Sequence, residues 1–313
     1  DAQESRGLGD VYKRQLIIYF AVLIGIGLYC RKHATDVNGF VLGGRSVGPW
    51  LTAFAYGTSY FSAVVFVGYA GQFGWKYGIA ATWAGIGNAI IGSLLAWVVL
   101  GRRTRIMSQH LDSATMPQYF GKRFGSNPLK IGASVIIFIF LIPYTASLYN
   151  GLSRLFGMAF NIDYSVCIII MATLTAIYVI AGGYMATAIN DFIQGIIMLF
   201  GIVAVIAAVI HSKGGFMSAL QGLANVSDPA VSDTPGIFAS FFGPDPFNLL
   251  CVVILTSLGT WGLPQMVQKF YAIDNEDSIK KGTIISTIFA LVVSGGCYFL
   301  GGFGRCLLYT SPS

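Results

Sequence analysis

Residues 50–71 read WLTAFAYGTSYFSAVVFVGYAG, an apolar stretch of membrane-spanning length with Gly57, Thr58, Ser59, Tyr60 and Ser62 near its middle. Lipid supplies no hydrogen-bond partners, so a span keeps its helix unbroken unless the break faces protein or a water-filled cavity. Gly57 is the poorest helix former short of proline, and the hydroxyls beside it compete for backbone groups. The stretch therefore predicts a discontinuous helix whose freed carbonyls point at whatever occupies the cavity. No Asp, Glu, Lys, Arg or His lies between Arg45 and Lys76. A cation held here must be held by carbonyls and hydroxyls, a neutral oxygen set that suits Na+ better than a proton relay. The competing reading is that small residues simply let helices pack closely.

Composition around that stretch settles the class. Hydrophobic residues make up 55% of the 313 and charged residues only 10%, with a mean hydropathy of +0.69. This is an all-α polytopic membrane protein, with room for about eight spans of roughly 20 residues. The formal charge of +6 does not indicate nucleic acid, because the basic residues fall between apolar runs, where they orient a chain in the bilayer. Cys30, Cys167, Cys251, Cys297 and Cys306 are scattered singly, without disulfide or zinc spacing. His33, His110 and His211 stand far apart at span ends or in loops. Nothing pairs a nucleophile with a base, so neither an enzyme nor an organic cofactor is expected.

Outward from the quoted stretch, the apolar runs predict spans at 16–30, 50–71, 79–101, 131–155, 166–183, 192–210, 247–267 and 283–304. Pro143 should kink the fourth. Residues 1–15 and 305–313 resemble nothing adjoining them and are read as non-native tails. Between them lie a first span and loop at 16–48, a five-span unit at 49–211, a connection at 212–246 and two further spans at 247–304. Twelve Lys and Arg residues fall in loops on one side, among them Arg45, Arg105, Lys130 and Lys269, against Lys76, Arg154 and Lys213 on the other. The imbalance places the N-terminus outside, in the periplasm of a bacterial inner membrane.

In that topology spans two and seven are antiparallel, and span seven is also interrupted, by Gly259, Gly262 and Pro264 within TSLGTWGLPQ. A pair of Gly- or Pro-interrupted spans at matching places in two inverted halves is the sequence pointer to the binding site of a secondary transporter. Span two would open the first five-span repeat and span seven the second, whose later members lie past residue 313.

Four motifs carry a family resemblance: FVLGGRSVGPW at 40–50; Thr115-Met116-Pro117-Gln118-Tyr119-Phe120 with Arg123-Phe124-Gly125; Gly182-Gly183-Tyr184-Met185-Ala186 with Asn190-Asp191 and Gln194; and Gly262-Leu263-Pro264-Gln265 with Lys269. In order and spacing they resemble the sodium:solute symporter family, which includes bacterial proline, pantothenate and sugar symporters. The resemblance implies a LeuT-type fold, five plus five inverted spans behind an extra N-terminal one, here truncated after about eight spans. It implies Na+ as coupling ion, bound by the backbone carbonyls of Thr58 and Phe61 with hydroxyls of a later span, and Asp191 on the inward exit route of sodium. Proline-transporting members carry an acid where Tyr60 stands and aromatic residues where Thr256 and Thr260 stand. Sugar-transporting members carry amides or acids where Val64 and Val65 stand, so both substrates are disfavoured. The implied function is Na+-coupled symport of a small organic solute by alternating access. The alternative is a transporter-like sensory input domain.

Candidate solute contacts are Ser59, Tyr60, Ser62, Thr256, Thr260, Trp261 and Gln265, with Gly57, Gly259, Gly262 and Pro264 as the helix breaks. Each has a structural alternative. Hydroxyls can bond their own helix, and a tryptophan beside a kink usually packs. Asp191 can serve as a helix N-terminal acid, favoured by the macrodipole at about 0.3–1 kcal/mol. Its own loop offers no Lys or Arg, which predicts an unpaired, cation-attracting carboxylate. Arg154 should snorkel to the headgroups.

Overall fold

The computed structural model describes residues 2–33, 35–62, 64–160 and 162–309, and the regular structure among them is helical throughout. Helix α1 (Ala2–Cys30) carries the first span and is followed by a short α2 (Val37–Leu42), capped by the Asp36 carboxylate accepting from the Gly39 amide. Span two consists of α3 (Pro49–Tyr60), a break at Phe61–Ser62, a π-type segment Val64–Tyr69 and α4 (Ala70–Tyr77). Span three runs through a 3-10 turn, α5 (Thr82–Gly87), π-type segments Asn88–Leu95 and Trp97–Gly101, and α6 (Arg102–His110). After α7 (Met116–Phe124), α8 (Asn127–Phe160) passes Pro143 as one helix.

Spans five and six are fused. Helix α9 (Tyr164–Ser212) is helical except at Gly183, with φ 57 and ψ −149. A side chain at Gly183 would meet the Phe40 carbonyl oxygen at 2.8 Å, so both the dihedral and the close approach require glycine. A long connection, with α10 (Phe216–Ala224), leads to span seven, built of α11 (Pro246–Leu258), a 3-10 turn Gly259–Gly262 and α12 (Pro264–Ala272). The two parts of this span bend by 54°. Span eight is α13 (Glu276–Ala290), a π-type turn Leu291–Gly295 and α14 (Gly296–Gly302), followed by α15 (Gly304–Tyr309).

Among the described residues four helical stretches are long and apolar enough to cross a membrane, five with the bent pair. The shortfall from eight has physical causes. The fusion at Gly183 merges two spans, the break divides span two, and span one offers only the short apolar helix Ile17–Cys30.

Contacts at both ends show that spans two and seven are antiparallel. At the start of span two, the Val47 amide donates to the Ala272 carbonyl at the close of span seven. At the other end, a side chain at Gly243, just before span seven, would meet the Tyr77 carbonyl at 2.8 Å. Two arginines hold the end of α12, Arg45 from just before span two and Arg105 from α6. Arg45 donates to the carbonyls of Tyr271 and Ser113, and Arg105 donates to those of Ile273 and Asp274. Cations on the last carbonyls of a helix also complement its dipole.

An aromatic core joins these elements. Trp97 is fully buried and meets Tyr56 and Phe270 edge-on at 5.6 and 5.1 Å, while Phe54 lies 5.1 Å from Phe289. Gly57, expected at the break of span two, is instead inside α3 against the Phe289 ring. A Cβ there would come within 2.3 Å of that ring, so the residue is small for packing and the helix continues one turn further.

Opposite the arginine-held end, Arg305 is fully buried between the rings of Trp75 and Phe238, 4.3 and 4.2 Å from their centroids, and donates to Asp228 at 2.7 Å. That guanidinium holds the Asp228 carboxyl below its ordinary value of 3.8. A depressed folded-state pKa contributes stability that is present above the unfolded value and lost as pH falls through the lower folded one. Asp228→Asn should therefore loosen the connection at neutral pH, read as faster quenching of Trp75 fluorescence. The difference from wild type should shrink as pH falls below about 4.

Candidate functional site

The breaks of spans two and seven face one cavity. Helix α3 ends at Tyr60, and Ser62, which would return an amide to the Thr58 carbonyl in a continuing helix, lies outside it; its own carbonyl accepts from Val65. In span seven, Leu263 is extended at ψ 125 and Pro264 opens α12 from its first turn, where a missing amide costs nothing. Between the breaks lies a cavity of about 240 Å³ whose lining includes Ser59, Tyr60, Ser62, Asn88, Thr256 and Thr260. Its remaining walls are Val65, Tyr69, Tyr144, Ser147, Leu148, Leu255, Gly259, Leu263 and Tyr298, so among the described residues no charged side chain lines it. The volume lies below the roughly 300–1,000 Å³ of drug-sized ligand sites and suits a small solute.

The polar hub of this cavity is Asn88, only 2% exposed. The hydroxyls of Tyr60, Thr256 and Ser257 lie 3.2, 3.0 and 3.0 Å from its amide oxygen. The Tyr60 hydroxyl also reaches the Thr256 carbonyl at 3.0 Å, tying the two broken spans together. Asn88 opens a π-type segment, a widened turn that recurs at functional sites. Sequence reasoning missed it by looking for amides at Val64 and Val65. The signal was available, because Asn88 is the one amide in the apolar run 79–101.

Of the residues expected at the solute, the structure brings Ser59, Tyr60, Ser62, Thr256 and Thr260 together and places two elsewhere. Trp261 packs against the aromatic core with its indole donating to the Ile91 carbonyl at 3.0 Å, and so anchors the break. Gln265 is the second residue of α12, with both amide atoms buried and unpartnered. The Thr58 hydroxyl donates to the Phe54 carbonyl at 2.9 Å, and Phe61 stacks on Tyr60 at 4.4 Å, leaving their main-chain atoms at the break. The side chain of Arg154 lies outside the described ones.

Asp191 departs from its expectation twice. The helix resumes directly after Gly183, so Asp191 lies two turns inside it and not at its start. Its carboxylate is also paired: Lys269 of α12 brings its Nζ to 3.8 Å, while the same ammonium lies 4.9 Å over the Tyr184 ring. A loop-by-loop reading could not see this partner, which arrives from another span. Gln194, one turn further along α9, donates to the Tyr19 hydroxyl of α1.

Comparison with known proteins agrees with this architecture. The family model of the sodium:solute symporter family matches residues 40–313. The osmoregulated proline transporter OpuE of Bacillus subtilis (strain 168) is 30% identical over 290 residues, covering 92% of this chain and 57% of that protein. A sodium/proline symporter of Staphylococcus aureus (strain JH9) is 32% identical over 280 residues, covering 85% of this chain and 51% of its own length. The chain thus spans about half the length of the curated relatives it matches. A solved structure of a Na+-coupled sialic acid symporter, in a substrate-bound outward-open state, superposes with a TM-score of 0.72 at 18% identity, over 95% of this chain and 62% of that one. Its likeness concerns the fold, which here is the LeuT-type arrangement of paired broken helices in a multi-pass membrane protein. With most of its length matched by one family model, the chain belongs to the sodium:solute symporter family.

Proposed function

We propose that this chain forms the substrate-binding part of a Na+-coupled symporter for a small organic solute, working by alternating access. The observation that carries the proposal is the convergence of two antiparallel broken spans on one small, charge-free cavity. Sodium is bound at the main-chain oxygens of Thr58 and Phe61, completed by hydroxyls from spans beyond residue 313, and leaves past Asp191. Residues 49–211 act as the first repeat, 247–304 open the second, and the Arg45-bearing end faces the cytoplasm with the N-terminus outside.

Solute binds against Ser59, Tyr60, Ser62, Thr256 and Thr260, with Asn88 arranging the hydroxyls. A cavity without side-chain charge favours a neutral or zwitterionic solute. Relatives described as proline transporters make proline a candidate, although Tyr60, Thr256 and Thr260 do not reproduce the side chains of the proline-transporting pattern. Coupling requires Na+ to bind one conformation better than the other. At an inward-negative potential of 100 mV each Na+ contributes ~2.3 kcal/mol.

The test is uptake by the full-length protein in membrane vesicles. Labelled amino acids, carboxylates, sugars and nucleosides are supplied with an inward Na+ gradient, then with K+ in its place. One zwitterionic or neutral solute should accumulate, and its uptake should collapse in K+. Flat uptake of every solute, with Na+-dependent binding of one, would favour the sensory input domain instead.

A further inference from the structure

The Lys269–Asp191 pair stands apart from the lining of the solute cavity and bridges α12 and α9. Lys269 lies on the half of span seven beyond the break, and Asp191 on span six, with side-chain exposures of 8% and 22%. Buried ionisable groups are expensive and call for a functional or structural reason. A purely structural pair would be expected to close into a direct hydrogen bond and to have its neighbours satisfied. This one does neither. At 3.8 Å the ammonium is short of direct hydrogen-bond contact, and part of its stabilisation comes from the Tyr184 ring face.

The surrounding polar groups are also unsatisfied. Both amide atoms of Gln265, one turn before Lys269 on the same face of α12, lack partners. So do both amide atoms of Asn190 and the hydroxyl of Tyr184, which lies two turns before Asp191 on α9. Buried polar groups without partners are rare enough to need an explanation. Here three of the orphaned atoms are oxygens, Gln265 Oε1, Asn190 Oδ1 and Tyr184 Oη, on the two helices that carry the ion pair. That is the donor chemistry of a partly dehydrated monovalent cation. Thr58, whose main chain belongs to the proposed sodium site, also has its side chain close enough to act on this carboxylate.

We propose that Lys269 is a gate residue, a tethered cation that occupies the position beside Asp191 and must withdraw before Na+ can pass between α9 and α12. The inference rests on the symport reading and adds to it a residue that sets when the ion leaves. The ammonium and Na+ compete for one carboxylate, so only one of them neutralises it at a time. Withdrawal is a side-chain movement on a flexible four-carbon stem. The backbone beneath it is held in place, because Arg45 and Arg105 bind the carbonyls at the end of α12.

The experiment measures radioactive Na+ leaving proteoliposomes that contain the purified full-length protein, without solute. Lys269→Gln should raise this flux about tenfold or more and lower the Na+ concentration that half-saturates uptake, since a buried carboxylate left unpaired draws in a cation. Lys269→Arg should do the opposite and slow the flux about tenfold, because a guanidinium grips a carboxylate through two hydrogen bonds. A merely structural role would depress flux in both variants. The double variant Lys269→Gln with Asp191→Asn has no unpaired charge and should fall back to or below the wild-type flux. If Lys269→Gln does not fold, the arginine variant decides. Equal flux in wild type and Lys269→Arg, or a decrease in both single variants, overturns the gate. Wild-type vesicles that move no Na+ with or without any solute overturn the symport reading itself.

Discussion

Asn88→Leu should lower solute uptake efficiency about a hundredfold at unchanged expression, since each stranded buried hydroxyl costs about 1–3 kcal/mol and 1.4 kcal/mol is tenfold. The reason lies in how the cavity is wired. The Tyr60, Thr256 and Ser257 hydroxyls converge on one amide oxygen, and the first two come from the two broken spans. Leucine has the same branching and number of side-chain heavy atoms but no acceptor, so these hydroxyls would turn toward the solute or toward their own helices. Asn88→Asp keeps an acceptor at the same place and should retain more uptake of a neutral or zwitterionic solute than the leucine variant. The measurement is initial uptake rate against solute concentration in vesicles. Efficiency within twofold of wild type in the leucine variant would show the amide to be dispensable.

The second large effect is expected in packing. Gly74→Leu should cost about 3 kcal/mol or more of stability, the upper end for forcing atoms into a filled interior. A Cβ on Gly74 would lie 2.0 Å from the Gly301 carbonyl, and one on Gly301 would lie 2.1 Å from the Ala70 carbonyl, so α4 and α14 cross backbone on backbone. Main chain cannot rotate away as a side-chain tip can. The same construction recurs where a Cβ on Gly85 would come within 2.6 Å of Gly295. In lipid no hydrophobic force drives helices together, and close approach of small residues takes its place. Thermal unfolding of detergent-solubilised protein, followed by size-exclusion elution, reads the effect. Gly201→Leu is the control, since nothing lies within 4 Å of a Cβ there. Equal melting of the two variants would show that the crossing yields.

The contrast between Gly57 and Pro264 shows what could be read in advance. Proline removes a donor and crowds the turn before it, and with Gly259 and Gly262 just ahead that local chemistry disfavours carrying the helix through Pro264, although α8 passes Pro143 unbroken. Glycine only permits a break. Whether Gly57 breaks α3 or packs it against Phe289 depends on a ring more than two hundred residues away in sequence, which no local rule contains. The hydroxyls of Ser59, Tyr60 and Ser62 could be placed at the cavity because they stand in the last turn of that helix or just past its end. Trp261 could not, since an indole beside a kink faces the solute or the core according to which carbonyl lies in reach, and here it is that of Ile91. Asp191 fails for the same reason: charge was counted within its own loop, while its partner Lys269 sits on a distant span. The sequence reading succeeds where periodicity and backbone chemistry act over a few residues. It fails where a tertiary neighbour decides between two locally acceptable roles.

The fusion of spans five and six at Gly183 bears on how the chain enters the bilayer during synthesis. At 49 residues α9 would be about 74 Å long as a straight rod, more than twice a hydrocarbon core of about 30 Å, so the single non-helical glycine does the work of an entire loop. No Lys or Arg occurs between Arg154 and Lys213, so the kink at Gly183 has no basic residue near it to act as an anchor. In the orientation proposed above, the basic residues that set its placement lie upstream, Lys122, Arg123 and Lys130 around the start of α8, and the two spans of α9 are expected to insert together as one unit.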